Sequence, residues 1–156
     1  METMSKTKEL TITRVLNAPR ELVWQAWTEQ KHIENWWGPK GFTNPICEWD
    51  ARVKGHILIH MKGPDGMHYP MNGVFSEITK PSKITFTSAA LDKDGGHLFD
   101  VMNTINFIEE GNKTKLLMHF TFTNIIPSAV HNIDGANTGW NMSIDKLEAL
   151  LETIKH

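Results

Sequence analysis

The sequence lacks a second cysteine, a long apolar run and an excess of charge of either sign. One cysteine among 156 residues cannot form an internal disulfide. No apolar run approaches the ~18 residues that a membrane-spanning helix needs, and the opening METMSKTKE lacks the apolar core of a secretory signal. A formal net charge of −2 provides no basic surface for nucleic acid. We therefore expect a soluble, cytoplasmic protein that does not bind nucleic acid or insert into membranes.

The composition is that of an ordinary globular protein. Hydrophobic residues make up 40% of the chain and charged residues 22%, and the length fits one domain with a sizeable core. No internal repeat, linker or low-complexity segment interrupts the sequence. We expect a flexible N-terminus over residues 1–8 and a single domain over residues 9–156, present as a monomer or weak dimer.

The first third of the chain predicts a strand followed by two short helices. ELTITRVL, residues 9–16, is short and β-branched, and Pro19 then begins an amphipathic helix. A second helix, from Gln30 to about Trp37, must end at Gly38-Pro39, because proline cannot continue a helix and disfavours helical backbone in the residue before it.

The middle of the chain predicts a sheet. Between Phe42 and Thr123, six β-type segments are separated by short turns rich in Gly, Pro, Asp and Asn. Such turns connect antiparallel neighbours, since parallel strands need long crossovers. With the first strand, the antiparallel sheet has about seven members.

The last segment predicts a long helix with one apolar face. In GWNMSIDKLEALLETIK, apolar residues recur every three or four positions. Ser128 is a candidate N-cap, but Gly135 and Gly139 are poor helix formers, so the pattern leaves the start of the regular helix open as far as Asn137. This order of elements predicts an α+β fold in which a curved antiparallel sheet wraps around the C-terminal helix. Such a sheet encloses a cavity unless large side chains fill it.

Alternation along the strands predicts which side chains face the helix. In MNGVFSEIT, Val74 and Ile78 compete with Met71 and Phe75 for that face, and the pattern does not decide between them. The same spacing also suits a simple packed core, so it does not separate core from cavity wall. The predicted ligand-binding side chains are Trp36, Trp37, Trp49, Ile59, Met61, Phe75, Phe86, Phe99, Val101, Asn103, Met118, Phe120, Trp140 and Ile144.

Two of these predictions carry more detail. Asn103 shares the inward parity of Val101 and is a candidate to orient a ligand by hydrogen bonding. Adjacent helical residues point about 100° apart, so Trp36 and Trp37 cannot face the same way. One ring is expected in the core and the other at the cavity entrance, and the sequence does not say which.

The sequence shows no catalytic or metal-binding constellation. His56, His60 and His68 fall on the predicted outer face, with no Cys or carboxylate at a matching spacing for zinc. No nucleophile motif surrounds Cys47, and Glu77 is the one acidic residue considered as an inward polar anchor, although an exposed strand glutamate is the commoner reading. We expect no metal, no cofactor and no catalytic residue.

Several local motifs resemble the helix-grip, START-like (SRPBCC) superfamily, and within it homologues of the ATPase activator of the ninety-kilodalton heat-shock chaperone, in their C-terminal-domain form. The motifs are APRELVWQAWTE, WWGPKGF, WDARVKG, GVFSEITKPSKITFT and GWNMSIDKLEALL. The resemblance implies a seven-stranded sheet gripping a long C-terminal helix around a hydrophobic cavity. Where the family usually has two glycines after the second strand, this chain has Gly55-His56, which is expected to alter the bend or the entrance.

Three functions follow as hypotheses. The first is a binding protein whose cavity accepts a hydrophobic, ring-containing or lipid-like small molecule. The second is a co-chaperone that contacts the heat-shock ATPase, against which stands the additional N-terminal domain of the full activator, for which a one-domain chain has no room. The third is a polyketide-cyclase-like enzyme acting in the same cavity. The lack of a catalytic constellation favours a binding protein over an enzyme.

Overall fold

The computed structural model describes residues 7–154, which form seven strands and four helices. The strands are β1 (Lys8–Leu16), β2 (Thr43–Trp49), β3 (His56–Lys62), β4 (His68–Thr79), β5 (Lys83–Leu91), β6 (His97–Glu110) and β7 (Lys113–Thr123). The helices are α1 (Arg20–Thr28), α2 (Gln30–Trp36), α3 (Val130–Asp134) and α4 (Ala136–Ile154).

All neighbouring strands are antiparallel. Their order across the sheet is β1-β7-β6-β5-β4-β3-β2, so β2 to β7 form a meander and β1 pairs with the last strand of that meander. The predicted α+β architecture, with a curved seven-stranded sheet and two short helices after the first strand, is confirmed.

The ends of the elements differ slightly from prediction. Of the predicted flexible segment 1–8, only Thr7 and Lys8 lie within the described residues, and Lys8 already pairs in β1. Helix α4 begins at Ala136, next to the expected Asn137. Ser128 is not the N-cap of the last helix, because it lies inside a short 3₁₀ turn, Pro127–Ala129, whose cap receives no side-chain hydrogen bond.

Helix α4 lies against the inner face of the sheet and contacts α1, α2 and the edge strand β1. Its contact with β1 includes a polar cluster. Arg14 on β1 donates to Asp145 Oδ1 at 2.8 Å, to Asn141 Oδ1 at 3.1 Å and to Glu148. Surface ion pairs contribute little individually, so the buried apolar face of the helix supplies most of the attachment.

The predicted inner faces of the strands are confirmed, and the structure resolves the ambiguous one. Phe75 pairs with Phe86 and Ile78 pairs with Ile84, which leaves one extra residue, Ser76, as a β-bulge in β4. The bulge reverses the alternation, so Phe75 before it and Ile78 after it both face inward, whereas Val74 is 41% exposed.

The same bulge decides the position of Glu77, which the sequence favours as an exposed strand residue over an inward anchor. Glu77 pairs with Thr85 on the outer face. Its carboxylate accepts a hydrogen bond from Thr79 Oγ1 at 2.8 Å and lies 3.6 Å from Lys83 Nζ. It is therefore a surface residue paired with its strand neighbours.

Candidate ligand-binding cavity

A cavity of about 400 Å³, partly open to solvent, lies between the sheet and the N-terminal half of α4. The strands β3 to β7 form its floor, α4 and α3 lie over it, and the chain between α2 and β2 forms one rim. Its lining residues are Trp37, Gly38, Pro39, Phe42, Met61, Tyr69, Pro70, Met71, Ser88, Ala90, Leu91, Leu98, Phe99, Val101, Asn103, Phe122, Asn132, Gly135, Ala136, Gly139, Trp140 and Ser143.

Small side chains create this space. On β5 the inward positions run from Ile84 and Phe86, which are fully buried, to Ser88 and Ala90, which line the cavity. Gly139 on α4 faces the same space from above. The sheet and helix therefore diverge over positions where no large side chain fills the gap.

The rim between α2 and β2 is held by a half-buried lysine contact. Gly38 adopts φ +93°, which lets the chain turn away from the end of α2. Lys146 of α4 then donates from Nζ to the carbonyl oxygens of Gly38 at 3.1 Å, Pro39 at 3.4 Å and Phe42 at 3.4 Å. Burial lowers the pKa of Lys146. The cavity rim is thus tied to the long helix.

Aromatic rings form much of the cavity wall. Trp37 and Trp140 meet edge to face, with ring centroids 5.2 Å apart, and Trp140 stacks on the buried Phe120 at 4.9 Å. Phe99 and Phe122 form a second pair at 5.7 Å. These rings are positioned by their core neighbours, so the protein itself holds the wall in place.

The structure decides between the two adjacent tryptophans. Trp36 is fully buried, and its Nε1 donates to the carbonyl of Ala26 at 2.9 Å. Trp37 lines the cavity and is 6% exposed. Trp36 is the core residue, and Trp37 is the one that a bound molecule would touch.

The predicted site residues divide between cavity and core. Those that line the cavity are Trp37, Met61, Phe99, Val101, Asn103 and Trp140. Those that the structure places in the packed core instead are Trp36, Trp49, Ile59, Phe75, Phe86, Met118, Phe120 and Ile144. The second group is corrected because its side chains are buried among one another in the hydrophobic core and do not border the cavity.

Sequence reasoning missed several lining residues. Ser88 and Ala90 continue the inward parity of Phe86, so alternation carried to the strand end would have found them. Met71, which the sequence leaves open as a candidate for the inner face, also lines the cavity. Phe42 and Tyr69 lie at the rim with ring centroids 5.6 Å apart. No local sequence pattern predicts that contact, because it joins the loop before β2 to strand β4.

Asn103 is the buried polar side chain of the cavity floor and is 3% exposed. Its Nδ2 donates to the carbonyl oxygens of Phe86 at 3.2 Å and Val101 at 3.3 Å, and to Ser88 Oγ at 3.1 Å. Among residues 7–154 the hydrogen bonds of this side chain are those three from Nδ2, with none to Oδ1, and Asn103 lines the cavity.

No charged side chain and no histidine of the described chain lines the cavity. No group of three or more His, Cys, Asp or Glu residues within residues 7–154 is arranged to hold a metal ion. His56, whose imidazole was expected to alter the entrance, lies on the outer face with Nε2 2.6 Å from Glu48 Oε1 and does not line the cavity. Likewise, no helix of the described chain combines the length and apolarity needed to cross a membrane.

Cys47 lies outside the cavity on β2, half-buried against the core. Burial, helped by the negative charges of Glu34 and Glu48, raises the pKa of its thiol to about 11. A thiol with so high a pKa is a poor nucleophile near neutral pH.

Solved structures share this architecture over most of its length. A protein from Chromobacterium violaceum has a TM-score of 0.80 and 26% identity, covering 92% of this chain and 96% of that chain. A protein from Nitrosomonas europaea has a TM-score of 0.77 and 28% identity, covering 94% and 96%. At 19% identity, a Silicibacter pomeroyi protein described as AHSA1 shares the fold with a TM-score of 0.78, covering 96% and 100%.

No curated protein matches the chain. A family model does match it, over residues 17–152, and its description is "Activator of Hsp90 ATPase homolog 1-like protein". The match begins immediately after β1 and extends into the last turn of α4, so it includes every residue that lines the cavity. It also confirms the family resemblance that the sequence motifs indicate. The chain therefore belongs to the family of activator of Hsp90 ATPase homolog 1-like proteins.

Proposed function

We propose that the protein binds a small, hydrophobic, ring-containing molecule in the cavity beneath α4. The observation that carries this proposal is an apolar cavity of about 400 Å³ walled by Trp37 and Trp140. Its volume lies within the range of roughly 300–1,000 Å³ typical of small-molecule sites. Flat aromatic walls suit a ring system, because stacked and edge-to-face ring contacts add to the gain from burying apolar area.

The rigidity of the wall also supports binding. Trp37 contacts the rings of Trp36, Trp49 and Trp140 at centroid distances of 5.8, 5.2 and 5.2 Å. A side chain held on several sides loses little freedom when a ligand arrives, so more of the contact energy appears as affinity.

The proposal is tested by titrating the protein with flavonoids, sterols, fatty acids and polyketides while amide chemical shifts are recorded. For at least one class, we expect the shifts to cluster around Trp37, Phe99 and Trp140. Ala90 faces the cavity and Ala89 the opposite side of the sheet, so Ala90→Phe should abolish binding and Ala89→Phe should leave it unchanged.

Two outcomes would contradict the proposal. One is that no compound produces shifts that saturate and cluster at the cavity. The other is that Ala90→Phe and Ala89→Phe weaken binding equally, since that result would place the ligand elsewhere on the molecule. Circular dichroism of both variants checks that they fold.

The family description supports a second candidate, contact with the heat-shock ATPase. It is tested by measuring ATP hydrolysis by the chaperone with and without this protein at saturating concentration. Stimulation that survives Ala90→Phe would indicate a surface interaction independent of the cavity. Absence of stimulation would remove this candidate and leave the ligand-binding proposal intact.

A further inference from the structure

We infer that the ligand is uncharged and carries a hydroxyl group that donates a hydrogen bond to Asn103 Oδ1. This inference rests on the proposed function, because it specifies the chemistry of the molecule in the same cavity. It follows from three features of residues 7–154: the fixed orientation of the Asn103 amide, the unused hydroxyl hydrogen of Ser88, and a lining without charged side chains.

The orientation of the Asn103 amide is determined by its neighbours. The carbonyl oxygens of Phe86 and Val101 can only accept hydrogen bonds, so the atom facing them must be the donor Nδ2. Flipping the amide would place Oδ1 against two carbonyl oxygens in a buried site. Asn103 therefore presents Oδ1, an acceptor, to the cavity, and the partner that satisfies it must be a donor.

Ser88 adds the complementary group. Its Oγ accepts the hydrogen bond from Asn103 Nδ2 at 3.1 Å, and its own hydrogen reaches no acceptor among residues 7–154. Asn103 Oδ1 belongs to the same amide group as Nδ2, and Nδ2 is hydrogen-bonded to Ser88 Oγ, so the two oxygens are near neighbours. One ligand hydroxyl can thus donate to Asn103 Oδ1 and accept from Ser88. A ketone or an ether can use Ser88 but not Asn103.

The other polar groups of the lining do not compete for this role. Ser143 Oγ already donates to the carbonyl of Gly139 at 3.2 Å. Tyr69, 38% exposed, and Asn132 lie at the solvent-facing mouth. The Asn103–Ser88 pair is accordingly the polar point on an otherwise apolar floor, and it fixes the depth and orientation at which a ring alcohol is held.

The electrostatics exclude an anionic head group at this point. No Lys, Arg or His within the described residues lines the cavity. The nearby Lys146 holds its Nζ against the carbonyl oxygens of Gly38, Pro39 and Phe42, outside the lining. A carboxylate on the floor would be buried without a counter-charge and would face Asn103 Oδ1 as a second acceptor, which is strongly unfavourable.

The test uses four probes of similar ring size: naphthol, its methyl ether, naphthalene and naphthoate. Dissociation constants are measured by calorimetry at neutral pH. We expect naphthol to bind about tenfold tighter than the methyl ether, because only naphthol can donate to Asn103 Oδ1. Naphthoate should bind about a hundredfold more weakly than naphthol or not at all.

Two variants separate the roles of the paired groups. Asn103→Leu should remove the preference for naphthol over its ether. Ser88→Ala should weaken both compounds by about threefold and leave the preference in place, since both oxygens accept from Ser88. Ser76→Ala, on the outer face, is the matched control and should change nothing. If Asn103→Leu does not fold, the side-chain amide resonances of Asn103 in the unsubstituted protein provide the readout, and naphthol but not its ether should shift them.

The outcomes distinguish this inference from the proposed function. Equal binding of naphthol, its ether and naphthalene would overturn the inference. The cavity would then bind ring compounds without distinguishing polar from apolar ones. Preferred binding of naphthoate would overturn it in favour of an anion site involving Lys146. If none of the four probes binds and the wider panel also fails, both the inference and the proposed function are wrong.

Discussion

The inner face of the sheet has a packed end and an end that borders the cavity. Inward and outward side chains alternate in the same way at both ends. At the packed end, defined by Trp49, Phe75 and Phe86 on the sheet and by Trp36 on α2, large side chains are buried against one another. At the open end, defined by Ser88, Ala90, Val101 and Asn103, the same strands β5 and β6 carry smaller or polar side chains beneath the start of α4. The size of the inward side chains, rather than the fold, decides where the cavity lies.

The largest expected effect comes from the adjacent tryptophans, which lie on either side of this division. Trp36→Ala removes a fully buried ring and the hydrogen bond from Nε1 to Ala26, and should lower the free energy of unfolding by about 4 kcal/mol. Trp37→Ala removes a ring that already borders empty space and should cost about 2 kcal/mol. Urea unfolding followed by circular dichroism measures both.

The two tryptophan variants should also differ in how they affect ligand binding. Trp37→Ala should weaken a bound ring compound, whereas any effect of Trp36→Ala on binding should be explained by its lower stability. Equal losses of stability in the two variants would contradict the division into a packed and an open end, since that result would make Trp37 an ordinary core residue.

The sequence was sufficient for the order of elements and for most inward faces, because periodicity and turn chemistry are local properties. It was insufficient for β4, where the extra residue Ser76 reverses the alternation. A bulge depends on the register with the neighbouring strand, which the sequence alone does not show. Simple alternation therefore assigns Phe75 and Ile78 to opposite faces, although both face inward.

The position of the cavity was harder to predict for a different reason. Phe86 and Val101 have the same inward parity, yet Phe86 lies in the core and Val101 lines the cavity. What separates them is the size of the side chains around each: Phe86 meets the rings of Trp49 and Phe75, whereas Val101 pairs with Ser88, and these neighbours are set by tertiary packing. Small inward residues such as Ser88 and Ala90 were the available signal, because a cavity forms where large side chains are missing rather than where aromatic ones are abundant.

A smaller effect is expected from the contact that closes the rim of the open end. Lys146→Met removes three charge-assisted hydrogen bonds to the carbonyl oxygens of Gly38, Pro39 and Phe42 and should lower the free energy of unfolding by about 1–2 kcal/mol. Hydrogen exchange should quicken at the amides of residues 40–42, while the packed end stays protected.

Lys31→Met is the matched control for that substitution. Lys31 is 73% exposed and lies 3.4 Å from Glu29 Oε1, so its removal should change stability by less than about 0.5 kcal/mol. Exchange that quickens throughout the sheet in Lys146→Met, rather than at the rim, would show that Lys146 supports the whole domain and does not act on the open end alone.

The smallest effect concerns Cys47 on β2. The alkylation rate of its thiol reports how often the chain at the packed end opens to solvent. Because the thiol pKa is about 11 in the folded protein against an ordinary 9.0, the thiolate is scarce at pH 8. Alkylation of the folded protein should be about tenfold to a hundredfold slower than of the protein in urea, and its rate should rise steadily with pH towards about 11.

The same shift fixes the sign of the pH dependence of stability. Between pH 9.0 and about 11 the folded state keeps the Cys47 proton and the unfolded state releases it, so the free energy of unfolding should fall as pH rises through this range. Cys47→Ser provides the control, because it should remove this contribution to the slope. An alkylation rate at pH 8 equal to that in urea would mean that the chain around β2 opens readily, and that the two ends of the sheet differ less in dynamics than in packing.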